Sequence, residues 1–273
     1  MGIIEAVVLG IVQGLTEFLP ISSTAHLRIV PALFGWDDPG APFSAITQIG
    51  TMAAVLFYFR TDLMKLTKAF VSSSVKLKPF ESEDSRLAWY IVFGTIPIAI
   101  IGLLLKDSIE TSFRSLHIIA GSLIALALIL ALAEYVGKRT RNLRSMGFIE
   151  TQIIGLAQAV ALIPGSSRSG TTITAGLFLN LTREEAARYS FLLSVPAVLL
   201  SGVYQLYALR SELIGEVGTA LIVATVVSGV VGFLSIDFML KFLRKHSTML
   251  FIVYRIGIGI TIYILLALNI LQP

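Results

Sequence analysis

Two clusters of polar residues interrupt otherwise apolar sequence, and their residue types suit acid–base and anion chemistry. The first is Gln13 and Glu17, followed by Ser22, Ser23, Thr24 and His26. Glu17 lies four residues after Gln13, so a helix puts both on one face. An acidic residue at the centre of a bilayer costs roughly 2.5–3.5 kcal/mol on insertion scales, and is usually paired, hydrated or functional. A hydroxyl near an imidazole and a carboxylate supplies the parts needed to activate a serine or move a proton. A lone intramembrane serine is commonly bonded to a backbone carbonyl, and a lone histidine is often a satisfied core residue. Here four such groups gather beside Glu17.

The second cluster is Pro164-Gly165-Ser166-Ser167-Arg168-Ser169-Gly170, running on to Thr172. A Gly/Ser loop that opens a helix presents free N–H groups and a helix dipole, both of which attract anions. A guanidinium adds bidentate, charge-assisted bonds to phosphate. Gly165, Ser166, Ser167, Ser169 and Thr172 around Arg168 therefore read as a phosphate cradle, with Ser22 and Thr24 contributing from the first cluster. The competing reading is a structural pair between Arg168 and Glu17, and the two are compatible if a substrate loosens that pair. Arg255, after Tyr254 in the last apolar stretch, is another cation in hydrocarbon and a candidate second phosphate contact. Asp237 near Lys241 reads as a local helix pair, and His117 and His246 as interfacial residues. There is no P-loop, HExxH or other spaced metal-ligand set, which speaks against an ATP-driven pump or a zinc hydrolase.

These residues must be positioned by membrane-embedded elements. The 273 residues are 55% hydrophobic and 14% charged, with a mean hydropathy of +0.84. Soluble domains carry about a quarter charged residues. Cysteine is absent, which excludes disulfides, thiolate metal sites and cysteine nucleophiles. Met1-Gly2 lacks a basic leader region, so no cleaved signal is expected. Six blocks, near 43–59, 87–105, 117–135, 186–209, 218–240 and 248–268, approach the ~20 apolar residues a spanning helix needs. Thr182-Arg183-Glu184-Glu185 reads as a capping box opening the fourth. Residues 2–33 and 149–181 are also apolar, but the two polar clusters and their prolines break each into two short helices. Non-helical backbone at membrane depth is tolerated only where protein or a wet cavity satisfies it, so each is expected to be a re-entrant hairpin.

Basic residues mark the faces. Arg60, Lys65, Lys68, Lys76, Lys78 and Arg86 fall in one connection, Lys138, Arg139, Arg141 and Arg144 in another, and Lys241, Arg244 and Lys245 in a third. The alternate connections hold only Lys106, Arg114 and Arg210. The positive-inside rule makes the first set cytoplasmic, so the net charge of +4 marks topology rather than a nucleic-acid partner. One hairpin then enters from each face, and each is followed by three spans. The expected fold is an all-α polytopic membrane protein, six transmembrane helices plus two re-entrant hairpins, arranged as an inverted-topology repeat. Residues 1–135 form the first repeat, 136–148 a basic cytoplasmic linker and 149–273 the second repeat. Gly10-x-x-Gln13 with Pro20-x-Ser22-Ser23 echoes Gly155-x-x-Gln158 with Pro164-x-Ser166-Ser167, one residue being deleted between. Inverted repeats bring broken helices together near the midplane, where ligand sites form.

At these residues the chain resembles the bacterial undecaprenyl-pyrophosphate phosphatases, also called bacitracin-resistance proteins. The resemblance is carried by Gln13-Gly14-Leu15-Thr16-Glu17-Phe18-Leu19-Pro20 with Ser22-Ser23-Thr24-Ala25-His26, and by the Pro164–Gly170 run with Thr172. It implies hydrolysis of undecaprenyl pyrophosphate to the monophosphate at the outer side of the cytoplasmic membrane, recycling a carrier for cell-wall synthesis. It further implies a catalytic set of Glu17, Ser23, His26 and Arg168, assistance by a divalent cation such as Mg²⁺ or Ca²⁺, and a polyprenyl pyrophosphate partner. A homodimer is compatible with it. Gln13 stands where many members carry the first acid of an E/Q-x-x-x-E pattern, which weakens it as a base or anionic ligand while leaving polar support. Ala25 stands where many have glycine.

The expected mechanism is attack by Ser23 on the terminal phosphorus with Glu17 or His26 as base, or direct attack by water activated by the same groups. A transporter or lipid flippase using the repeat for alternating access is the other functional class. The concentration of proton-transfer groups in one hairpin favours an enzyme. A purely structural scaffold leaves Glu17 and Arg168 in hydrocarbon unexplained.

Overall fold

A computed structural model describes residues 1–110, 112–208 and 216–272. Leu209, the end of the fourth expected span, and Arg210, one of the few basic residues expected outside, lie outside the described residues. Among the described residues there are helices and no strands.

Six helices are long and apolar enough to cross a membrane. They are α3 (Gly40–Tyr58), α5 (Glu83–Leu104), α7 (Leu116–Val136), α10 (Arg183–Ala208), α11 (Glu216–Lys245) and α12 (Met249–Ala267). They correspond to the six expected blocks, with ends set by local chemistry. Ser82 caps α5 and adds a polar first turn containing Glu83 and Asp84. Thr182 accepts from the Glu185 amide and opens α10 as its sequence suggests. α11 runs on through Arg244 and Lys245, beyond the expected end, because long basic side chains carry a helix into the interface without burying charge. Two connecting helices were not legible as separate elements: α4 (Arg60–Val75), which packs on α5, and short α6 (Lys106–Glu110).

Both interrupted stretches fold as pairs of short helices. The first is α1 (Ile3–Phe18) and α2 (Ser23–Phe34), the second α8 (Phe148–Val160) and α9 (Arg168–Phe178). α2 and α9 have 12 and 11 residues, or about 16–18 Å of rise, short of the ~30 Å of a hydrocarbon core.

The packing turns the usual distribution inside out. Val226, Val230 and Leu234 repeat every fourth residue on α11 and are each more than half exposed, the pattern of a face made for lipid. Gln13, Gln158 and Arg255 are fully buried instead. α1 packs on α11 and α8 on α5, while α7 packs on α12 and α3 on α10. Close approach demands glycine at matching places. A Cβ on Gly10 would lie 2.6 Å from the Ala224 carbonyl oxygen of α11, and one on Gly155 2.5 Å from the Gly94 carbonyl oxygen of α5. The two hairpins also use matching caps, described below.

Charged pairs concentrate at one end of the bundle. Glu134 at the end of α7 accepts from Arg183 Nε at 2.8 Å and from Thr248 Oγ1 at 2.7 Å. Arg141 grips Glu150 with two donors, Arg188 pairs with Asp62 and Arg244 with Glu184. Asp237 and Lys241 form the expected local pair. All the connections with many basic residues meet here.

Candidate active site

The site is assembled where the two hairpins break. In the first, Ser22 caps α2: its Oγ accepts from the Ala25 amide at 3.3 Å and lies 3.1 Å from Thr24 Oγ1. In the second, Ser167 caps α9: its Oγ accepts from the Gly170 amide at 3.1 Å and lies 3.1 Å from Ser169 Oγ. Both serines have positive φ, 74° and 67°, an uncommon conformation for a residue with a Cβ. The echo expected with one residue deleted therefore runs in unbroken register, since the capping partner of Ser22 is Ser167 rather than Ser166. Gly165, at φ 90°, turns the second loop, and a Cβ there would lie 2.2 Å from Ser122 Oγ.

The breaks touch each other. Ser169 Oγ donates to the Leu19 carbonyl at 3.0 Å. Arg255 donates through Nη2 to the carbonyls of Gly165 and Ser166 at 3.1 and 3.0 Å, and through Nη1 reaches Pro20 O at 3.4 Å. Arg255 thus binds the two loops together, leaving only Nε without a partner. Thr172 is likewise engaged in packing, its hydroxyl 2.6 Å from that of Ser190 on α10.

At the centre is the carboxylate of Glu17, only 5% exposed. Its Oε2 accepts from Ser23 Oγ at 2.7 Å and from Gln13 Nε2 at 2.8 Å. Its Oε1 accepts from Arg168 Nη2 at 2.8 Å. One carboxylate therefore joins a hydroxyl from one hairpin to a guanidinium from the other. Arg168 pairs with Glu17 as the structural reading anticipated, yet its buried Nη1 has no partner. Gln13 Oε1 and Ser166 Oγ are also buried without partners, and such groups are costly unless something meets them.

Both ring nitrogens of His26 are engaged by groups other than Ser23. Nδ1 lies 2.7 Å from the Ser22 carbonyl, which can only accept, so Nδ1 carries the proton. Nε2 lies 2.7 Å from Tyr254 OH, and the two rings stack 7° from parallel. In the sequence Tyr254 stands out only as half of a Tyr-Arg pair with Arg255, with no role assigned to it. Among the described residues no group of three or more His, Asp or Glu side chains forms a metal cage.

These features define a multi-pass helical membrane protein with a buried site of one carboxylate, one hydroxyl, one imidazole and one guanidinium. The chain belongs to the bacitracin resistance protein BacA family, whose model matches residues 6–261. It is 59% identical over 281 residues to a protein of Chloroherpeton thalassium named undecaprenyl-diphosphatase, covering 100% of this chain and 99% of the relative. Proteins of the same name from Chlorobium phaeobacteroides and Chlorobium phaeovibrioides are 56% and 55% identical, with full coverage of both chains.

Proposed function

We propose that the chain hydrolyses undecaprenyl diphosphate to undecaprenyl phosphate and inorganic phosphate. The observation that carries this reading is the Glu17 carboxylate bonded at once to Ser23 and Arg168. The family and the names of its relatives support the substrate.

Ser23 Oγ transfers its proton to Glu17 Oε2 and attacks the terminal phosphorus. The bridging P–O bond breaks, undecaprenyl phosphate departs, and a phosphoserine forms. Water then hydrolyses that ester, and Ser23 recovers a proton. Glu17 rather than His26 is the base, because Ser23 already donates to it. Proton transfer to Glu17 weakens its hold on Arg168, whose guanidinium, with Nη1 already unpaired, turns to the phosphoryl oxygens. Charge redistributed over those oxygens is where a preorganised cation contributes most. His26, held by Ser22 and Tyr254, keeps the outer wall of the site in place.

Gln13 Oε1 and the Glu17 carboxylate offer the oxygen donors that Mg²⁺ or Ca²⁺ prefers, with substrate phosphates completing the shell. Such an ion would neutralise phosphoryl charge. The two hairpins enter from opposite faces as an inverted repeat, a reading supported by their matching caps, glycines and packing partners. The end rich in ion pairs is cytoplasmic, and the site opens to the outer face, where the product re-enters the carrier cycle of cell-wall synthesis.

The direct test is orthophosphate release from undecaprenyl diphosphate by detergent-purified protein, with and without Mg²⁺. Release by the wild type supports the reading, and its absence under both conditions overturns it. Sidedness is separately testable because the chain has no cysteine. In intact cells, Asp37→Cys should react with an impermeant maleimide and Ser82→Cys should not; the reverse pattern would invert the topology.

A further inference from the structure

Two adjacent residues of α12 hold the first break from both sides. Arg255 reaches the Pro20 carbonyl on the entering side at 3.4 Å. Its neighbour Tyr254 places its hydroxyl 2.7 Å from His26 Nε2 on the returning side. In the neutral ring the proton is on Nδ1, facing the Ser22 carbonyl, so Nε2 accepts and Tyr254 is the donor. Fixing the far nitrogen in this way fixes where the near one points.

What the near nitrogen does is visible from the second hairpin, where no imidazole is present. After the cap of α9, the Ser167 carbonyl accepts the Thr171 amide at 2.8 Å, an ordinary first helical bond. Thr171 stands at the register of His26, and its hydroxyl bonds the Arg168 carbonyl at 3.1 Å instead. After the cap of α2, the His26 amide lies 3.3 Å from the Ser22 carbonyl, while Nδ1 lies at 2.7 Å. The imidazole has taken over the carbonyl that begins the helix.

That carbonyl belongs to the peptide joining Ser22 to Ser23. Ser22 stands at φ 74° and ψ 98°, a conformation that a residue with a Cβ keeps only where its surroundings over-determine it. Rotation of this peptide would swing Ser23 about its backbone, and with it the hydroxyl that donates to Glu17 at 2.7 Å.

We propose that Tyr254 is a positioning residue for the hydrolysis: through His26 it fixes the Ser22–Ser23 peptide and so aims the Ser23 hydroxyl. The proposal rests on the phosphatase reading. The working group of His26 is then its Nδ1–H, and Tyr254 acts through the imidazole rather than on the substrate. A nucleophile slightly misplaced loses rate in the chemical step, so the effect falls on kcat.

Steady-state hydrolysis of undecaprenyl diphosphate by the purified full chain gives the first test. Tyr254→Phe keeps the ring and removes the donor; it should lower kcat about tenfold with KM within about twofold. His26→Asn sets an amide N–H close to the place of Nδ1 and should turn over about tenfold faster than His26→Ala. In the His26→Asn background Tyr254→Phe should cost nothing further, because its path runs through the imidazole. Equal losses in His26→Asn and His26→Ala overturn the proposal, as does a further tenfold loss from Tyr254→Phe in the His26→Asn background. A Tyr254→Phe variant with a lower melting temperature and unchanged kcat also overturns it, since packing alone would give that result.

The second test needs no turnover. The chain has three histidines, and in spectra of ¹⁵N-histidine-labelled protein in micelles the His26 signals are those that His26→Asn removes. The wild-type ring should carry its proton on Nδ1, and Tyr254→Phe should shift the Nε2 resonance. A wild-type ring protonated on Nε2 alone, or an Nε2 resonance that Tyr254→Phe leaves in place, overturns the proposal. A wild type with the expected histidine signals that releases no phosphate would sink the phosphatase reading and leave this hydrogen-bond chain standing.

Discussion

In both hairpins a serine at positive φ caps the returning helix and faces a hydroxyl two residues on, Ser22 with Thr24 and Ser167 with Ser169. In both, a glycine one turn before a buried glutamine lets the entering helix touch a spanning one. The side chains at matching positions then diverge. The residue after the cap is Ser23 in the first hairpin and Arg168 in the second. Glu17 is matched by Leu162, so Gln13 has a carboxylate to bond while the buried amide of Gln158 has no partner. Similar backbone thus presents a hydroxyl and a carboxylate from one side and a guanidinium from the other. Chemistry between them needs both breaks at one depth, which Ser169 and Arg255 enforce by bonding to the carbonyls of the opposite loops.

That division of labour can be broken most severely at Ser23. Ser23→Ala should lower turnover by about 10³-fold or more, the scale of losing a nucleophile, and acid-quenched wild type should carry phosphoserine that the variant lacks. Near-normal turnover in the variant would instead point to direct attack by water. Arg168→Lys should follow, at about 10²–10³-fold in kcat, because a point charge cannot reproduce the fork that reaches both Glu17 and a phosphate. A loss confined to KM would make Arg168 a mere docking cation.

The paired glutamines sharpen the comparison further. Gln13→Leu should reduce kcat by about tenfold by removing the hydrogen bond that Gln13 donates to Glu17. Gln158→Leu should leave kcat within about twofold and hold or raise the melting temperature, since an unpartnered buried amide is exchanged for an apolar group of similar size. Equal losses would mean that the two hairpins are functionally more alike than their chemistry suggests. The smallest effects are expected at the caps. Ser22→Ala and Ser167→Ala should each destabilise by about 1 kcal/mol, seen as similar falls in melting temperature, with activity falling more for Ser22, whose carbonyl also orients His26.

Much of this was readable before any fold was known. The six apolar blocks became spanning helices because hydropathy at helix length leaves few alternatives. The breaks fell at Pro20 and Pro164-Gly165, where backbone donors are lost and turns are favoured. Other features were less accessible. α4 is amphipathic and charged, so hydropathy passed over it as a connection. Arg255 stands out because an arginine in hydrocarbon signals function, but nothing local shows that it bonds the carbonyls of loops 90 and 235 residues distant in sequence. The His26–Tyr254 bond spans 228 residues and left no local pattern either.

By itself the sequence determined the solvent, the number of spans, the places where helices break and the chemical groups placed there, because these depend on composition, spacing and backbone propensity within short windows. Tertiary structure decided which groups meet. It gave Ser23 to Glu17 rather than to His26, put Arg168 on the same carboxylate, and used Arg255 to join the loops. Those outcomes rest on contacts between residues far apart in the chain, fixed by how closely α1 can approach α11 and α8 can approach α5.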